Sequence, residues 1–156
     1  MVDVGDKLAT LRRASARALV RMAPDTAARV VAGDAPKGDV ISTARIAGIQ
    51  AAKRTPDLVP LCHPIAIHGV EVDLVVEHDG VHLSATVRTA DRTGVEMEAL
   101  TCVAVAGLAL VDMVKALDRG ATITDVRVEH KSGGRSGEWR RSDQRSGGSS
   151  AGGSSS

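Results

Sequence analysis

Gly69–Glu77 reads Gly-Val-Glu-Val-Asp-Leu-Val-Val-Glu, and Val81–Ala90 reads Val-His-Leu-Ser-Ala-Thr-Val-Arg-Thr-Ala, with Asp79-Gly80 between them. Both runs alternate apolar with polar residues, the period of a strand that buries one face. Asp-Gly supplies the positive backbone angles of a tight hairpin turn. The stretch therefore predicts two antiparallel strands with one face on a core and the other in water. Upstream, Ala14–Met22 shows the same period and is read as a further strand. Pro24 then opens a helix through Ala32 that Gly33 stops, proline suiting the first turn and glycine the end. Ala35–Gly38 is a loop, and Asp39 is a good N-cap for a helix over Val40–Arg54. Thr55–Pro64 holds Pro56, Pro60 and Pro64 and is expected to be irregular. Downstream, Gly94–Leu117 turns helical and very apolar, and Thr122–His130 reads as a last strand. The order is strand, two helices, strand, strand, long helix, strand. It predicts an α+β domain of split βαβ type: a four-stranded antiparallel sheet with helices packed on one face.

Composition narrows the function classes. The 156 residues are 25% charged and 43% hydrophobic with a formal net charge of +1, and Trp139 is the one aromatic. The core must be aliphatic, and the composition argues against a module that stacks several bases on Phe and Tyr. Near-zero net charge argues against a general polyanion binder. Cys62 and Cys102, without a CxxC pair, make neither a disulfide framework nor a structural zinc site. Met1-Val2-Asp3 lacks the layout of a signal peptide, and the uncharged run Ala99–Val111 is too short to span a bilayer. The expectation is a soluble cytoplasmic domain over residues 1–141. Residues 142–156, Ser/Gly-rich, are expected to form a disordered tail.

Several segments carry chemistry. Lys37-Gly38 before the Asp39 cap brings a cation and free N–H groups toward an anion, or is a solvated loop. Leu61-Cys62-His63-Pro64 is held between prolines, where His63 suits acid–base work or a hydrogen bond to a heterocycle, or the segment is purely structural. Cys62, His63 and His68 match no zinc spacing. Glu96 and Glu98 begin the long helix, where carboxylates suit its dipole. A helix apolar on almost all sides is buried in the core or between subunits. Asp112 and Lys115 follow the apolar run, one turn apart. They read as a proton-transfer pair in partly desolvated surroundings, or as an ordinary ion pair. Lys131–Gly137, Lys-Ser-Gly-Gly-Arg-Ser-Gly, combines two cations with glycines that let backbone approach phosphate, or is a flexible loop; it is not a Walker A loop.

Long motifs in order then carry a resemblance: Met1–Val4, Lys37–Val40, Thr43–Thr55, Leu58–Pro64, Thr93–Thr101, Asp112–Ala116 and Lys131–Gly134. Together they resemble the MoaC family, the cyclic pyranopterin monophosphate synthases of molybdenum cofactor biosynthesis. The resemblance implies a lyase that rearranges 3′,8-cyclo-7,8-dihydro-GTP to the pyranopterin and expels pyrophosphate as a cyclic phosphate closes. It implies a ferredoxin-like fold and a homohexamer, a trimer of dimers with sites at subunit interfaces. No organic cofactor and no metal ligands are implied, although Mg²⁺ can accompany the triphosphate; neither nucleic acid nor membrane is a partner. Residue by residue, Asp112, Lys115, Lys37 and His63 are the implied catalytic groups. Leu61, Cys62, His63, Glu96, Met97, Glu98, Lys53, Lys131, Arg135 and Arg12 are the implied substrate contacts. Lys53, Lys131 and Arg135 are expected to act together on the triphosphate. Arg135 stands where many members carry lysine, and the Ser/Gly tail is not a family feature. Two rival readings remain: a non-catalytic pterin- or nucleotide-binding protein of the same fold, and a small RNA-binding domain. The first would be expected to lose Asp112 and Lys115; the second would need aromatics on its sheet.

Overall fold

The computed structural model describes residues 1–142. Its strands are β1 (Thr10–Arg21), β2 (Gly69–Glu77), β3 (Gly80–Asp91), β4 (Thr122–Ser132) and β5 (Trp139–Arg140). Its helices are α1 (Pro24–Ala32), α2 (Val40–Lys53), α3 (Thr55–Leu58) and α4 (Glu96–Val114). The strands form one antiparallel sheet in the order β2-β3-β1-β4-β5. Strands β1 and β2 are both antiparallel to β3, which lies between them, so the chain makes the split βαβ crossover. Helix α4 lies across β1, β3 and β4, with α2 alongside it and over β2. The fold is α+β with its helices on one face, as expected.

Alternation builds the core. Ala14, Ala16, Ala18 and Val20 point inward from β1, and Val81, Leu83, Ala85 and Val87 from β3. Helix α4 meets them with Ala99, Cys102, Val103, Ala106, Leu110 and Val114. With no large aromatic to fill space, the layers approach closely. A Cβ on Gly48 of α2 would lie 2.9 Å from the Cys102 carbonyl oxygen and 3.1 Å from Ala106 Cβ. That contact fixes α2 and α4 at a distance only glycine permits. Helix α4 has 19 residues and is by length and composition apolar enough to cross a membrane. Here its apolar side is spent on the sheet.

Capping matches the sequence at α2, where Asp39 accepts a hydrogen bond from the Ser42 N–H at 2.9 Å. Helix α1 has no cap of its own. Asp118, far along the chain, accepts from the Ala23 N–H at 2.8 Å instead. Gly33 ends α1 in the left-handed conformation, φ 70°.

Four expectations are corrected. The first strand starts at Thr10 rather than Ala14, because β3 and β4 offer its polar beginning partners on both sides (Arg13 opposite Arg88 and Ser132). The segment expected to be irregular holds α3, with Pro56 in the first turn and the Thr55 hydroxyl donating to the Ala52 carbonyl at 2.9 Å. The long helix is trimmed to Glu96–Val114. The sheet has five strands, since the chain after Gly133 and Gly134 turns back and pairs Trp139 with Lys131. The expected tail lies, apart from Ser142, outside the described residues.

Candidate active site

The expected residues fall into two groups at opposite ends of α4. The first is at its C-terminal end. Asp112 accepts from Lys115 Nζ at 2.7 Å on Oδ1 and from Lys37 Nζ at 2.8 Å on Oδ2. Lys115 is one turn away on the same helix face. Lys37 arrives from the loop before α2, which runs antiparallel to α4. The two ammonium groups, Lys115 first, hold the Asp112 carboxyl down at about 2. The partly desolvated surroundings expected from sequence are not found: the Asp112 side chain is 52% exposed and both lysines are exposed. The apolar run ends one residue earlier, so the pair projects into water.

The second group surrounds the N-terminal end of α4. A pocket of about 760 Å³ is lined by Leu61, Cys62, His63, Glu96, Met97, Lys131 and Trp139, among others. The 59–68 segment is laced to the end of β3: the His68 N–H donates to the Arg88 carbonyl at 2.9 Å and the Ala66 N–H to Asp91 at 3.2 Å. The Thr89 hydroxyl donates to the Ala66 carbonyl. Beneath the pocket Glu98 is 1% exposed. Burial holds its carboxyl above the ordinary carboxylate range. One oxygen accepts from the Cys62 thiol at 3.8 Å, and the other, Oε2, has no partner among the described residues. Burial, then the Glu98 charge, pushes the Cys62 thiol up, so it is not a ready nucleophile.

Beside this pocket, and sharing Thr93, Gly94, Glu96 and Lys131 with it, is a polar hollow of about 250 Å³ lined also by Lys7, Arg12 and Arg13. Lys131 Nζ is 3.0 Å from Glu96 Oε1 and donates to the Ser136 hydroxyl at 3.3 Å. Arg12 donates through Nε to the Asp91 carbonyl at 3.1 Å. Its guanidinium lies against Gly134, whose φ of +74° and missing side chain make the room. Arg135 lies across an adjoining cavity of about 830 Å³ with Lys7 and Arg12. Lys7 and Arg13 were not anticipated. Lys7 sits in a weakly patterned start, and Arg13 reads as one of several polar strand positions.

Two expected groupings do not form within one chain. His63 is at the opposite end of α4 from Asp112. Asp112 is 14 positions along the helix from Glu98, about 21 Å at 1.5 Å per residue. Lys53 is at the exposed end of α2 and lines neither cationic hollow, so it does not join Lys131 and Arg135. Elsewhere, Glu77, Asp79 and His82 bring ligand-type atoms within 4.8 Å of one another near the hairpin turn. His82 is already 2.9 Å from Asp79 and 3.4 Å from Glu77, a partly exposed cluster in which the ring is paired with both carboxylates.

Comparison with known proteins bears on this arrangement. Residues 1–134 match the MoaC family. A protein of Streptomyces coelicolor described as cyclic pyranopterin monophosphate synthase is 61% identical over 142 residues, 91% of this chain and 84% of that one. One of Roseiflexus sp. with the same description is 60% identical over 141 residues, 89% of each chain. One of Mycobacterium tuberculosis, described as cyclic pyranopterin monophosphate synthase 2, is 55% identical over 141 residues, 90% of this chain and 84% of that one.

Proposed function

The chain belongs to the MoaC family, and from that premise we infer that it is a cyclic pyranopterin monophosphate synthase of molybdenum cofactor biosynthesis. It takes 3′,8-cyclo-7,8-dihydro-GTP, rebuilds the ring system and releases pyrophosphate as the cyclic phosphate closes. The observation that carries this reading is the junction of two hollows. A pocket sized for a fused heterocycle opens into a cationic one through shared Lys131, Glu96 and Gly94. A nucleotide-derived ring with a triphosphate fits that division: donors and apolar walls for the ring, Lys131, Arg12, Lys7 and Arg13 for the charge.

The chemistry then needs the Asp112 cluster, about 21 Å away in the same chain. A second copy supplies it. Helix α4 keeps Leu108 60% exposed, an unusual position for a large apolar side chain in the middle of a core helix. We therefore read the protein as a homo-oligomer; the resemblance to the family implies a hexamer, built as a trimer of dimers on a ferredoxin-like subunit. Its sites combine one protomer's ring pocket with its partner's lysines. In that site Asp112 stays ionised and orients the two ammonium groups. Lys37 and Lys115 donate protons to nitrogen or oxygen as bonds break, and His63 serves the ring from the other side. Developing negative charge on the departing pyrophosphate falls to Lys131 and Arg12, with Lys53 and Arg135 within the assembled site. No organic cofactor enters this scheme, and Mg²⁺ on the triphosphate is compatible with it. The setting is the cytoplasm.

Incubating the chain with enzymatically made cyclised GTP, and following pyrophosphate and the cyclic phosphate product, tests the assignment. Release of both in equal amounts is expected. Binding without turnover would favour the non-catalytic alternative.

A further inference from the structure

Trp139 is the one aromatic side chain in 156 residues. It has no part in the hydrophobic core, and its indole is left 42% exposed on the wall of the ring pocket. An exposed indole contributes little to folding, yet the chain goes to some length to hold it there. Gly133, Gly134 and Gly137, all with positive φ, reverse the backbone after β4. Strand β5 then sets Trp139 opposite Lys131 and Arg140 opposite His130. Glu138 fastens the return, accepting from His130 Nε2 and from Arg140 Nε, each at 2.9 Å. Arg141 fastens it again through its N–H to the Glu129 carbonyl at 2.9 Å and its Nε to the Val128 carbonyl at 2.8 Å. The Arg141 guanidinium carbon is 5.5 Å from the centre of the ring, which further restricts the indole.

We propose that Trp139 is the stacking platform for the planar heterocycle of the substrate, and a determinant of binding rather than of the chemical step. The proposal rests on the function assigned above and adds a residue to it. Lys131 fixes the geometry: it pairs with Trp139 across the strands and lines both the ring pocket and the cationic hollow. A triphosphate held at Lys131 and Arg12 leaves the attached ring beside the indole, with Met97, Cys62 and His63 on the facing walls. Stacking on a π-face is insensitive to the edge pattern of the ring. The indole therefore favours a bicyclic heterocycle over a bare sugar triphosphate, while polar groups around it select which bicycle.

The chain provides its own probe. With one tryptophan and no tyrosine, its near-ultraviolet-excited emission comes from Trp139 alone. Titration of the full chain with GTP is expected to quench that emission, and inorganic triphosphate at matched charge is expected to leave it nearly unchanged. Trp139→Ala should raise KM for the cyclised GTP about tenfold, the scale of one base–aromatic stack, with kcat held within about a factor of two; Trp139→Phe should recover most of the loss. Circular dichroism reports whether the Ala variant folds, and the wild-type titration needs no variant at all. Turnover by the wild type together with an emission unmoved by GTP that calorimetry shows to be bound overturns the stacking role alone. So does equal quenching by GTP and inorganic triphosphate, or an unchanged KM in a folded Trp139→Ala. A wild type that neither binds GTP nor turns over the cyclised substrate overturns the functional reading and this proposal together.

Discussion

Lys37 and Asp112 are 75 positions apart in the chain and 2.8 Å apart in space, joined because α2 and α4 pack antiparallel. The contact turns a helical i,i+3 pair into a carboxylate shared by two ammonium groups. It also explains why Asp112 titrates at about 2 despite its exposure. A depressed carboxyl stabilises the fold above its ordinary value of 3.8, and that contribution is lost as pH falls toward 2.

Asp112→Asn is expected to lower product formation by about 10²–10⁴-fold, because the two ammonium groups it orients carry the acid–base step. Its melting temperature at pH 7 should stay close to that of the wild type, because exposed ion pairs contribute little to stability. A carboxyl-carbon NMR titration of the wild type should place the Asp112 midpoint near 2, and Lys37→Ala should move it upward. A large melting-temperature loss with near-normal turnover would make the cluster structural.

Glu98 gives the opposite sign. Its folded-state carboxyl is raised by burial above the ordinary 4.5, so stability is lost as pH climbs from about that value toward its folded midpoint. Glu98→Gln keeps an acceptor for the Cys62 thiol and removes the titration. Thermal melts of the two proteins should coincide near pH 4 and diverge in favour of the variant toward pH 8. A constant difference across that range would mean that folding does not raise the Glu98 carboxyl.

Adjacent glycines should behave differently. A Cβ on Gly133 would stand 2.0 Å from the Leu11 carbonyl oxygen, which is backbone and cannot yield without moving β1. A Cβ on Gly134 would meet the Arg12 guanidinium at 2.1 Å, the far end of a flexible side chain. Gly133→Ala is therefore expected to lower the melting temperature more than Gly134→Ala. Gly134→Ala should chiefly weaken triphosphate binding by displacing Arg12. Calorimetric titration with inorganic triphosphate separates them, and equal affinities for wild type and Gly134→Ala would remove Arg12 from the phosphate site.

Leu108→Glu places a charge on the exposed apolar side of α4 without touching the sheet-facing side. Sedimentation at micromolar concentration should show the wild type assembled and the variant shifted to smaller species, with turnover lost in parallel. A wild type that sediments as a monomer yet turns over the substrate would end the shared-site reading.

Much of this fold is local, and local patterns are legible. The β2–β3 hairpin follows from alternation and Asp79-Gly80. Helix α1 follows from Pro24 and Gly33, and α2 from Asp39, because each signal acts within a few residues of its effect. The pocket's lining segments Leu61-Cys62-His63 and Glu96-Met97 are each contiguous in the sequence too.

What sequence alone could not settle depends on distance through the fold. Strand β5 and the placement of Trp139 need β4 to be in position first, and two residues carry no period. The start of β1 is decided by partners on both sides, the cap of α1 by Asp118 nearly a hundred residues later. Spacing makes Asp112 and Lys115 neighbours but says nothing of solvent, and the structure leaves both in water. Motif order likewise cannot reveal that α4 holds the Asp112 cluster and the pocket at its other end about 21 Å apart. The residue types fixed which chemistry the chain is equipped for. Only packing, which sets depth, separation and partners in three dimensions, decided which of those residues lie together.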